Sequence, residues 1–141
     1  MATYFELRST VLIVVGHGLL AEEHDRPVAY DLKREVNERA GDTGGRAVVV
    51  TDLWLLEQEL GDFFPAIALG SPDANAFTEE IYEDLPVEWE RAQETFIQVG
   101  DDAKRAALWG TSDAGTREAV TRFVEDGALE RFLALVWGRS A

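Results

Sequence analysis

The chain has 141 residues, no cysteine and a formal net charge of −14. That length suits one domain with its own core, and the missing cysteines exclude disulfide frameworks, thiolate metal sites and thiol nucleophiles. So acidic a surface repels DNA, RNA and anionic lipid, whose binding needs clustered Lys and Arg, and no apolar run approaches the ~20 residues that span a bilayer.

The first residues, MATYFELRST, carry acid before base and no separate apolar segment ahead of a cleavage site, so a cytoplasmic, untargeted protein is expected. Lys33 and Lys104 are the only lysines, and the arginines are spread singly. The acidity reads either as adaptation for solubility or salt, or as a face that recruits basic partners.

Residues 1–8 read as a short arm or edge strand. Val11 to Val15 then form an all-apolar, β-branched run that suits a strand buried on both faces, and Gly16-His17-Gly18 lets the chain turn at its carboxyl end. After Ala21-Glu22-Glu23-His24-Asp25, Pro27 suits the first turn of a helix over 27–40. Val28, Leu32 and Val36 share one face of it, and Gly41 supplies its left-handed cap. RAVVVT (46–51) is a second buried strand. Leu53, Leu56 and Leu60 at helical spacing, with Asp52 as cap, predict a short helix that Gly61-Asp62 ends.

PAIAL (65–69) is a third strand. Ser71 as cap and Pro72 as first residue predict a helix whose face is Ala74, Phe77, Ile81 and Leu85. Glu88-Trp89-Glu90 reads as a polar passage. The run 95–99 is a strand that returns through Gly100-Asp101-Asp102 into 106–109, a connection too short for a parallel crossover, so these two pair antiparallel. A helix carrying Ala119, Val120, Phe123 and Val124 follows, and a last one covers 128–137. Alternating strands and helices give a single three-layer α/β sandwich, flavodoxin-like or Rossmann-like, with a mainly parallel open sheet and one antiparallel strand at about 95–99.

In such sheets ligands bind at the carboxyl ends of the strands, where strand order reverses. The rule gathers Gly16, His17 and Gly18; Asp52; Gly70, Ser71, Asp73 and Asn75; and Gly110, Thr111, Ser112 and Asp113 on one rim. Hydroxyls and free N–H groups at the 70–72 and 110–112 turns suit phosphate or carboxylate, though the same residues cap helices. Neither turn is a Walker A loop, and Gly16-His17-Gly18 has Ala21 where a dinucleotide fingerprint needs its third glycine. Gly70-Ser71-Pro72 is not a nucleophile elbow, since Pro72 removes an N–H that an oxyanion hole would use.

His17 can act as acid or base near neutrality or ligate a metal. The phrase VVGHG resembles the first strand of the small cobaltochelatase family, whose histidine there handles the metal and the tetrapyrrole. The likeness covers about five residues; Leu19 stands where the family has Ser, and no second histidine occurs in the later half. The acids Glu79, Glu80, Glu83 and Asp84 read as a solvated helix face. Of Trp54, Trp89, Trp109 and Trp137, Trp109 at a strand end reads as core, and Trp89 and Trp137 as core cover or subunit contact.

Three functions follow: a domain binding a small polar or anionic ligand or a protein partner at the rim; an enzyme for an anionic substrate, with His17 as acid/base or metal ligand and Asp52 orienting it; or an interaction domain forming a homodimer. No cofactor and no metal site is specified by any motif.

Overall fold

The computed structural model describes residues 9–59, 63–100 and 104–138. The expected N-terminal arm, the Gly61-Asp62 stop and Asp101-Asp102 of the hairpin turn lie outside these residues. Six strands, β1 (Thr10–Val15), β2 (Arg46–Thr51), β3 (Ala66–Leu69), β4 (Val87–Arg91), β5 (Thr95–Val99) and β6 (Arg105–Gly110), form one sheet in the order 2-1-3-6-5-4. β2, β1, β3 and β6 run parallel, whereas β5 is antiparallel to both β6 and β4. The parallel sheet with an antiparallel exception at 95–99 is therefore as expected.

β1 lies between two parallel neighbours, which is why all six of its residues are buried and apolar apart from Thr10. Its side chains alternate between two cores. Val11, Ile13 and Val15 meet α1 (Arg26–Ala40), α4 (Asp113–Glu125) and α5 (Ala128–Trp137); Leu12 and Val14 meet Leu55 of α2 (Asp52–Glu57) and Phe77 and Ile81 of α3 (Ala76–Ile81). These are the three layers.

Several boundaries differ from the sequence reading. α1 begins at Arg26 and is preceded by a π-turn over Ala21–Asp25, whose two buried residues are Ala21 and Asp25. α2 is capped by Thr51, whose hydroxyl accepts from Trp54 N, so Asp52 is its first residue and not its cap. The helix expected from Ser71 and Pro72 starts only at Ala76. Ala74 N and Asn75 N both bond Ser71 O at 2.9 Å, closing a turn, and Asn75 caps α3 through Phe77 N and Thr78 N. Asn75 wins over Ser71 because its amide also finds buried partners across the sheet, described below.

The segment read as a polar passage is the edge strand β4. Only Trp89 of it is half-buried, covering the α4–α5 core with the Arg122 guanidinium 4.8 Å from its ring centre. An edge strand with one sheltered side chain carries almost no apolar periodicity, which hides it in the sequence. Trp109 stacks on Phe96 at 4.4 Å and donates to Gln98 Oε1. Buried Gln98 in turn donates to the carbonyls of Tyr82 and Leu85, tying β5 to the turn after α3.

Thr78, fully buried on α3, has a hydroxyl with no hydrogen-bond partner. Replacing it with the isosteric apolar residue removes an uncompensated polar group, so Thr78→Val is expected to stabilise by about 1 kcal/mol; urea unfolding checks the direction.

Candidate functional site

Strand order reverses at β1, which has β2 on one side and β3 on the other, with α1 and α2 on opposite faces. His17 follows β1 and Asp52 follows β2, and they meet: His17 Nδ1 lies 3.0 Å and 3.3 Å from the two carboxylate oxygens. Asp52 is fully buried, whereas the His17 side chain is 53% exposed. Two backbone amides fix the carboxylate, Leu53 N to Oδ1 and Ala76 N to Oδ2, each at 2.7 Å. The sequence gathered this pair by the strand-end rule alone; the clamp from the first amide of α3 had no signal in it.

Between β1 and β3 the crevice is filled by protein. Asn75, buried, donates from Nδ2 to Val14 O at 2.9 Å and to Leu69 O at 2.8 Å, while Oδ1 accepts the two amides of α3. All its hydrogen-bonding capacity is engaged in the scaffold. Gly16 is required because a Cβ there would fall 2.0 Å from Ala74 O, so the 71–75 turn lies directly on it. Gly110 packs on Gly115 of α4, where a Cβ would come within 2.6 Å of backbone. Gly70, at φ +108, would bring a Cβ 2.9 Å from Asp25 Oδ2. Gly16, Gly70, Asn75 and Gly110, expected to face a ligand, thus serve close approach and closure inside the fold.

The other expected rim residues remain at the surface or half-buried. Gly18 is exposed and its carbonyl accepts from Glu22 N; Ser71 is half-buried and Asp73 exposed. Thr111 N donates to Glu94 O, and Ser112 caps α4 by accepting from Gly115 N. Asp113, exposed at the start of α4, has an oxygen 3.5 Å from His24 Nε2. Both histidines of the chain therefore stand on this rim, each against an aspartate.

Asp25 was not foreseen. It is 5% exposed, and burial pushes its carboxyl from 3.8 up to about 6, with the negative charge of Asp113 adding to the rise and His24 opposing it. A signal was present: Asp25 continues the buried face of α1 backward from Val28, Ala29 and Leu32, so a carboxylate falls on an apolar stripe. Among the described residues no group of three or more His, Cys, Asp or Glu side chains converges to hold a metal ion, and no helix is long and apolar enough to cross a membrane.

No family model, curated protein or solved structure matches this chain. The five-residue likeness of VVGHG to the small cobaltochelatases thus stands without a second point of agreement.

Two stability experiments follow from this geometry. Asp52→Ala orphans Leu53 N and Ala76 N and is expected to cost roughly 2–4 kcal/mol, against less than about 1 kcal/mol for His17→Ala at the exposed end of the pair; denaturant midpoints compare them. Asp25 holds its proton more tightly in the folded chain than in the unfolded one. Its contribution is therefore full below the unfolded value of 3.8 and is lost as pH rises through about 6. Asp25→Asn is accordingly expected to stabilise by about 1–2 kcal/mol at about pH 7.5 and not at about pH 4, less than the ~3 kcal/mol a fully dry site would give. Unfolding curves at the two pH values measure it.

Proposed function

We propose that this domain binds a small polar molecule beside His17 and acts on it as an acid–base catalyst. The observation that carries the reading is the 3.0 Å contact of half-exposed His17 with a carboxylate that is itself buried and clamped by two amides. A carboxylate offers only lone pairs, so Nδ1 carries the hydrogen and neutral His17 keeps the Nε2 lone pair for a ligand. Asp52 fixes that tautomer, holds the ring and stabilises the imidazolium that forms when Nε2 takes a proton.

The surroundings favour a neutral or cationic ligand over the anionic one read from the turns. Glu22, Glu23, Asp25, Asp73 and Asp113 belong to the segments at this rim, and Arg26 beside them is already paired with Glu22. Leu19 (87% exposed) and Leu20 (69%) follow His17 closely, and exposed Leu53 and Trp54 follow Asp52. A ligand with an apolar portion as well as a polar group fits that border. The lack of cysteine and of clustered Lys and Arg supports a cytoplasmic setting and a small ligand in preference to nucleic acid.

The test is a thermal-shift screen of neutral, amine and carboxylate compounds against the parent and His17→Ala, with His17 ring resonances followed by NMR. A ligand at about a hundred times its Kd adds ~2.7 kcal/mol, which moves the parent by several degrees; the variant should not respond, and the His17 resonances should shift. If every compound that raises the parent's melting temperature leaves those resonances unmoved, or if none raises it, the reading fails. Catalysis is then read from turnover of the bound compound, which Asp52→Asn should reduce at least tenfold by releasing the tautomer.

A further inference from the structure

The other end of the rim, where the π-turn packs against Gly70 and the start of α4, holds a carboxylate that the fold leaves unanswered. Asp25 is 95% withdrawn from solvent, yet no described residue donates a hydrogen bond to it. The 5% of its surface that remains exposed keeps it from being wholly closed off from solvent. β3 presents only the backbone of Gly70 to Oδ2, because a side chain there would collide with it. The charged groups that act on Asp25 are Asp113 from α4 and His24 from its own turn, and His24 lies against Asp113.

We propose that Asp25 and Asp113 form a receptor for an organic cation bearing N–H donors, a primary ammonium or a guanidinium group. A buried carboxylate without a donor is costly, and two carboxylates near one another repel. A cation with N–H groups removes both penalties at once and gives charge-assisted hydrogen bonds. A divalent metal is the weaker fit. Such ions call for several converging oxygen ligands, and no three-membered cluster exists among the described residues. The net charge of −14 draws cations toward every face, but among the described residues only here is a carboxylate both buried and unpaired by the fold. The assignment does not depend on the role proposed for His17.

Isothermal titration and Asp25 carboxyl chemical shifts, with butylamine and agmatine as probes, test the assignment. Tetramethylammonium (the same charge without N–H), magnesium chloride and a short peptide carrying one lysine are run beside them. Saturable binding of the amines is expected, tightening about tenfold from about pH 5 to about pH 7.5 as Asp25 ionises. Asp25→Asn should abolish it, Asp113→Asn should weaken it several-fold, and Glu79→Gln on α3 should leave it unchanged. A peptide that binds as tightly as butylamine would identify a protein side chain as the source of the cation, and a weaker one a free amine. Equal binding of tetramethylammonium, saturation by magnesium alone, persistence in Asp25→Asn, or no saturable amine binding at about pH 7.5 would each overturn the proposal. Should Asp25→Asn fail to fold, the Asp113→Asn weakening and the pH dependence still decide.

Discussion

The primary amide of Asn75 is the contact on which the rim of this molecule depends. At the carboxyl ends of two neighbouring parallel strands the carbonyls of Val14 and Leu69 run out of ladder partners, and in a buried position that loss is expensive. Asn75 answers both from one nitrogen and uses its oxygen to start α3. Everything nearby inherits its place from this clip. Ala76 N follows by one residue and reaches Asp52, and Ala74 precedes by one and lies on Gly16. The point where an open sheet ordinarily admits a ligand is thereby closed by the chain itself.

Closure of the centre divides the remaining chemistry between two flanks. Over β2, an imidazole is held by an aspartate that is saturated from beneath. Over β3 and β6, an aspartate is buried without a donor among the described residues. The contrast lies in backbone geometry: Asp52 stands at the start of a helix and faces the start of another, so amides converge on it, whereas Asp25 ends a π-turn and faces Gly70 across the strand end. Two residues of one type thus acquire opposite characters, one a fixed anchor and the other a carboxyl that gives up its proton only near pH 6.

The layers, the parallel strands and the antiparallel return were legible because each rests on a local signal: the apolar run 11–15, the spacing of Val28, Leu32 and Val36, and the short connection after residue 99. The meeting of His17 with Asp52 was legible through a rule of topology. The glycines at strand ends were marked as turns and ligand-facing positions, but a sequence does not say what lies against them; at 16 and 110 it is the protein's own backbone. Asn75 was visible only as a polar residue near a strand end, since its partners lie as far as 61 positions away. Asp25 escaped because it lies ahead of Pro27, where the helix was expected to begin, and β4 because Val87 and Trp89 alone make an alternation too short to stand out among the flanking acids.

That outermost strand has a consequence for how the molecule keeps company with its own kind. A flat, apolar border would invite a neighbouring chain to continue the ladder. Here the border reads Val-Glu-Trp-Glu-Arg, its pairing to β5 slips between Val87 and Trp89, and Arg91 is drawn aside to Glu118. Charge and irregular register together make this edge a poor template for a strand arriving from solution.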